Sequence, residues 1–184
     1  MSLTQSPDTA LMPAGTWNID ASHSSVEFSV RHLVGKTRGQ FKTFSGSINV
    51  AQDTLASSVE ASIALASVDT GDEKRDEHLR SPEFFDVGRH PVMTFRSTAV
   101  RAAGDDYLVT GELSLRGVNR PVELKLEFQG VQQDPWGGTR SGFTATTELS
   151  RRDFGLEWNV ALEAGGFLVG DKVRVSLEIE AVLV

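Results

Sequence analysis

An all-β fold, an eight-stranded antiparallel up-and-down barrel, is predicted by three observations. Apolar residues recur at every second position in segment after segment from about Thr16 onward, turn-forming stretches separate the segments, and helical periodicity is nearly absent. Hairpin-length connections favour sequential antiparallel pairing, because a parallel crossover needs about a dozen residues or more. Strands with one polar and one apolar face satisfy their edges best by closing on themselves, which ranks a barrel above a sandwich.

The elements follow in order. Val26, Phe28 and Val30 alternate with Ser25, Glu27, Ser29 and Arg31; Gly46, Ile48 and Val50 alternate with Ser47 and Asn49; Val59, Ala61, Ile63 and Leu65 alternate with Ser58, Glu60 and Ser62. Met93, Phe95, Ser97 and Ala99 share one side, and Tyr107, Val109, Gly111, Leu113 and Leu115 follow after a turn at Gly104 to Asp106. Beyond Gly117 to Asn119 come Val122, Leu124, Leu126 and Phe128, then Phe143, Ala145, Thr147 and Leu149, and last Val173, Val175, Leu177, Ile179, Ala181 and Leu183.

Two stretches interrupt the pattern. In Val68 to Arg89, Thr70-Gly71-Asp72-Glu73 fits a Thr-x-x-Glu capping box, which predicts a short helix over Asp72 to Arg80 with Asp76 supporting Arg80 one turn on. Ser81-Pro82 predicts a second helical turn carrying Phe84 and Phe85. The other interruption, Arg151 to Gly170, holds Phe154, Trp158 and Phe167 among glycines, and both stretches are placed to cover a barrel end. The division predicted is a disordered tail over 1–15 and one barrel domain over 16–184.

Charge and composition exclude several classes. Eighteen Lys and Arg against twenty-five Asp and Glu give a net charge of -7, which repels a phosphate backbone and argues against nucleic acid. Without cysteine there is no disulfide, thiolate zinc site or cysteine nucleophile. No apolar run approaches the roughly twenty residues of a membrane-spanning helix. The first fifteen residues carry no Lys or Arg and only the short apolar piece Ala10 to Met12, so they lack the regions of a signal peptide and the expected location is the cytoplasm. A periplasmic or secreted location is expected instead if a leader has been removed.

Chemistry-bearing motifs are scarce. Gly-x-Ser-x-Gly, Walker, Gly-x-Gly-x-x-Gly and His-Glu-x-x-His patterns do not occur, and His23, His32, His78 and His90 fall on separate elements without metal-ligand spacing, so no cofactor or metal is expected. The informative feature is the inward face, nearly free of charge and mixing large residues with Ala61, Ser97, Ala99, Gly111, Ala145, Thr147 and Ala181. An eight-stranded barrel is just wide enough to be filled by side chains or to hold one small ligand, and the residues alone leave both open. His32, inward by parity, fits either a satisfied core histidine or a hydrogen bond to the head of a guest.

The chain resembles the YceI-like family, also called polyisoprenoid-binding lipocalin-like proteins, over about 15 to 184. The matching stretches are His23-Ser24, Phe28 and His32-Leu33, then Gly39-x-Phe41-x-x-Phe44-x-Gly46, Ser67-Val68-Asp69-Thr70, and Arg75-Asp76-x-His78-Leu79-Arg80-Ser81. They continue with Phe84-Phe85-Asp86, Pro91-x-x-x-Phe95, Gly111-x-Leu113-x-Leu115-x-Gly117-Val118, Asp134-Pro135-Trp136-Gly137-Gly138, Arg152-Asp153-Phe154-Gly155 and Val169-Gly170-Asp171-x-Val173. The resemblance implies an extended lipocalin-like barrel that takes a long isoprenoid or other amphiphilic lipid into an apolar tunnel, commonly as a homodimer, without catalysis and often in the periplasm. The expected lining is Phe28, Val30, His32, Phe41, Phe44, Ile63, Phe95, Val109, Phe143, Ala145 and Leu177, with Phe84, Phe85, Phe154, Trp158 and Phe167 at the ends. A lipid-modifying enzyme using His32 or His78 for proton transfer, and a filled barrel acting as an interaction or stress-response module, are the alternatives.

Overall fold

The computed structural model describes residues 12–184. Residues 1–11 of the predicted tail lie outside them, and Gly15 already belongs to a strand.

Eight long strands form the wall of a closed meander, and three of them are broken, giving eleven segments in one sheet. The first wall strand is β1 (Gly15–Ile19) and β2 (Ser25–His32), interrupted by a 3-10 turn that Asp20 caps through its carboxylate. The second is β3 (Gly35–Phe41) and β4 (Phe44–Val50); the third is β5 (Ser58–Ala64) and β6 (Val68–Asp69), broken by the 3-10 turn Leu65–Ser67. The pairs Trp17↔Ile48 and Val26↔Phe41 show that the breaks leave a single hairpin between the first two. β7 (Val92–Ala103), β8 (Asp106–Leu115), β9 (Val118–Gln133), β10 (Thr139–Ser150) and β11 (Val169–Leu183) follow in order. β11 closes the barrel, pairing with β10 on one side and with β2 and β1 on the other.

The alternation read from the sequence matches the burial pattern most closely in β8, where Tyr107, Val109, Gly111, Leu113 and Leu115 are all buried. β1 and β3 had no apolar alternation strong enough to announce them; β3, Gly-Lys-Thr-Arg-Gly-Gln-Phe, is held as a strand by pairing with β2. In β7 the predicted parity fails after Ser97. A bulge at Thr98 shifts the register, so Ser97 pairs with Gly111 but Val100 with Val109, and Val100 rather than Ala99 takes the inward place. On the other side of β7 the Ser97 hydroxyl accepts a hydrogen bond from the Val59 amide at 2.8 Å, carrying the link to β5 one residue past the Glu60↔Arg96 pair.

The connections also depart from their predictions. Helix α1 (Glu73–Arg80) is present, but its N-cap is Asp72, which accepts from the Arg75 amide. Thr70 is not the cap: its hydroxyl and amide both donate to Asp76, whose buried carboxylate is thereby held under the helix and does not pair with Arg80. Arg80 donates instead to the Ala66 carbonyl. Ser81 caps the C-terminus of α1, and Phe84 and Phe85 sit on turns, not on a second helix.

Candidate functional site: an apolar cavity in the barrel

Successive inward positions of the wall strands surround a cavity of about 230 Å³. Val59, Ala61 and Ile63 of β5, Met93 and Phe95 of β7, Val109 and Leu113 of β8, and Leu124, Leu126 and Phe128 of β9 line it. Opposite stand Phe143, Ala145 and Leu149 of β10 and Val175, Leu177 and Ile179 of β11. From Phe143 to Leu149 the wall covers about 20 Å of strand at about 3.3 Å per residue. Among the described residues no charged side chain lies on this wall, and its polar groups are the hydroxyls of Ser45, Thr54, Ser57, Ser58, Tyr107 and Thr147. The rim holds Met12 and the 3-10 turn Thr54–Ala56, whose N-cap is Asp53.

Volume remains in the middle where small residues take inward positions, Ala61 on β5 and Ala145 on β10, the latter flanked on its neighbouring strands by Leu177 and Leu126; the space above Gly111, by contrast, is taken by the Phe95 ring, which a Cβ there would approach to 2.4 Å. At the end that carries α1, aromatic rings from the two interruptions occupy the space. Phe28 packs on Phe41 and Phe41 on Phe85, with ring centroids 5.5 and 5.8 Å apart. Phe84 lies 5.4 Å from Trp158, and the His78 imidazole stands edge-on to both. Phe154, Leu156, Leu65 and Val68 are buried behind them.

A buried arginine anchors this plug. The Arg151 guanidinium donates to the carbonyls of Leu156, Trp158 and Gly170 at 2.7, 2.9 and 2.8 Å, tying the loop that bears Trp158 to the start of β11. Burial lowers its pKa, against the opposing pull of Asp171 at 3.8 Å.

Of the residues expected from the sequence, Phe44, Ile63, Phe95, Val109, Phe143, Ala145 and Leu177 line the cavity. Phe28, Phe41, Phe84, Phe85, Phe154 and Trp158 belong to the plug and its packing. Val30 pairs with Val173 and Thr37 beyond the cavity floor, and His32, half-buried, pairs with Val169 and Gly35. Phe167 is half exposed on its loop. Sequence reasoning missed Val100, displaced by the bulge, and the rim residues Met12, Thr54, Ser57 and Ser58. For Val100, an apolar residue out of phase with Phe95 was the available signal.

Outside the cavity, Arg140 gathers Asp20, Asp134 and Glu180 at 2.8 to 2.9 Å, joining the first wall strand to the β9–β10 hairpin and β11. The guanidinium holds the Asp20 carboxyl well below the usual range, helped by Ser22 and His23; backbone amides and Arg140 lower Asp134 as well. The Ser141 hydroxyl, buried on the same inward side of β10 as Phe143, has no hydrogen-bond partner among the described residues.

Fold and site together define a closed antiparallel barrel with an apolar chamber, plugged at one end. The chain belongs to the YceI-like family, whose domain matches residues 17–181. It is 40% identical over 151 residues to a UPF0312 protein of Pseudomonas paraeruginosa, covering 80% of this chain and 79% of the relative. It is also 42% identical over 138 residues to one of Vibrio vulnificus, covering 73% of each. Among solved structures, Burkholderia cenocepacia BcnA superposes with a TM-score of 0.74 at 25% identity, over 88% of this chain and 98% of that one. A polyisoprenoid-binding domain from Saccharophagus degradans, implicated in plant cell wall breakdown, superposes with a TM-score of 0.70 over 91% and 98%; at 20% identity it shares the fold.

Proposed function

We propose that the protein binds the tail of a long-chain isoprenoid or similar amphiphilic lipid in this chamber and carries or stores it without chemical change. The observation that carries the reading is an apolar cavity of about 230 Å³ with no charged side chain of the described residues on its wall. It is larger than the roughly 150 Å³ apolar cavity that stays dry and takes up benzene. Burial is worth roughly 0.8 kcal/mol per CH2, so about ten carbons contribute about 8 kcal/mol, against an association cost of about 4 to 15. Long tails are therefore favoured over short ones. The hydroxyls of Thr54, Ser57 and Ser58 at the rim suit a polar head left at the mouth.

Neither histidine weighed for proton transfer is on the cavity wall: His78 is bonded to Glu83 beside the plug, and His32 sits at the β2–β3 tip. That placement favours carriage over turnover. Solvent extraction and native mass spectrometry of protein purified from its own host should release an amphiphile in stoichiometric amount. Repeated recovery of empty, folded protein would count against carriage.

A further inference from the structure

The end of the barrel that bears the plug has a second unusual feature, on its outer surface. The β2–β3 hairpin turns through Leu33 and Val34, with Leu33 at a φ of 52°. A two-residue turn with positive φ at its first position takes glycine without cost, and a β-branched or bulky residue there is strained. Here leucine holds the strained position, and Val34 beside it is fully exposed. The Leu33 amide donates to the Leu168 carbonyl at 3.0 Å, and the Leu168 amide to the Val160 carbonyl at 2.9 Å. Leu33, Val34, Val160 and Phe167 are thus neighbouring exposed apolar groups on two tips joined by hydrogen bonds.

Charge on the β2–β3 tip runs opposite to the chain as a whole, while the 155–170 loop carries Glu157 and Glu163 and no cation. Between Glu27 and Asp53 the sequence has no acidic residue, although the net charge is -7. Arg31 and Lys36 face each other directly across the ladder, and Arg38 lies on the same outward face opposite Ser29. Like charges in that relation destabilise a sheet. No carboxylate among the described residues pairs with any of the three. The nearby acids are engaged elsewhere or sit apart: Glu148 with Lys172 and Arg174, Asp171 with Arg152, Asp69 with Lys42, Glu27 two rows from Arg31 and one from Arg38, and Glu163 on the 160–168 loop.

We propose that this end docks on an anionic phospholipid surface, with Leu33, Val34 and Phe167 entering the interface and Arg31, Lys36 and Arg38 meeting the head-group phosphates. Exposed apolar groups beside three unpaired cations of one hairpin fit that surface and not a second copy of the chain, since a twofold contact through this face sets the cations against themselves. Docking presents the plugged end, Trp158 lying two residues before Val160 on the same loop.

The test is co-sedimentation of the full chain with vesicles of phosphatidylcholine plus phosphatidylglycerol and with vesicles of phosphatidylcholine alone. Binding is expected to the first, to fall as salt is raised, and to be weak to the second. Replacing Arg31, Lys36 and Arg38 together by Gln should lower partitioning about 100-fold, from roughly a fivefold loss per charge. Leu33→Gly should raise the melting temperature by relieving strain and at the same time weaken binding. Equal binding to both vesicle types, or binding untouched by the charge substitutions, overturns the proposal. So does a dimer that Val34→Ser dissolves in a protein that ignores vesicles. Vesicle binding is read without cargo, so its failure is separate from failure of the cavity reading.

Discussion

The two ends of the barrel interior are built from different parts of the chain. In the hollow part the lining comes almost wholly from strands, whose inward residues reach toward the axis without meeting, with Ala61 and Ala145 among the small residues on the wall. In the plugged part the strands carry similar apolar residues, but the space is closed by Phe84, Phe85, Phe154 and Trp158, supplied by the two interruptions. Strands make the container and inserted loops decide how much of it is full. A truncation in the plug should therefore cost more than one in the wall of the hollow part.

The largest contrast is expected between Phe84→Ala and Leu124→Ala. The first opens a void among packed rings and should lower unfolding free energy by about 3 to 5 kcal/mol; the second removes atoms that already border space and should cost about 2. Urea unfolding of both variants measures the difference, and equal losses would erase the distinction between the ends. Next in size is Arg151→Met, which strands the carbonyls of Leu156, Trp158 and Gly170 at an expected cost of about 1 to 3 kcal/mol. Hydrogen exchange should show the loss concentrated in residues 155–169, with β8 and β9 still protected.

A smaller effect separates the rim from both. Asp20 and Asp134 have carboxyls lowered by Arg140 and by local hydrogen bonds. A depressed carboxyl contributes stability that is present above its unfolded pKa of about 3.9 and is lost as pH falls through its folded value. Arg140→Gln should therefore melt below the wild type at neutral pH, with the gap narrowing once pH falls below about 4. A gap that is constant across pH would mean that Arg140 acts through packing alone.

Wall and plug were not equally legible in the sequence. Period-2 alternation exposed the eight wall strands because one face of each is apolar, and in β8 every inward residue was identified, whereas in β9 it missed Val118 and Val131 at the ends. It could not show the breaks in the first three, since a 3-10 turn such as Ala21–His23 leaves the flanking hydrophobic pattern intact. Nor could it separate lining from plug. Phe28 and Phe44 look alike as inward phenylalanines, and only the position of Phe85 against Phe41 buries the first outside the cavity while the second faces it. The capping residue of α1 was displaced by two positions because Asp76, read as a helix-surface charge, turned inward and claimed Thr70. Volume is a property of side chains that stand opposite one another across the barrel, and the order and register of the strands set which those are, which composition does not contain.

The most direct measurement is a titration of a long-chain prenyl alcohol into the wild type and into Ala145→Phe, followed by calorimetry. A hollow barrel predicts saturable one-to-one binding by the wild type and a loss of about tenfold or more in the variant, which places a ring in the chamber while the fold survives at a cost of about 1 to 3 kcal/mol. No binding by the wild type, or equal affinity in both proteins, would contradict it.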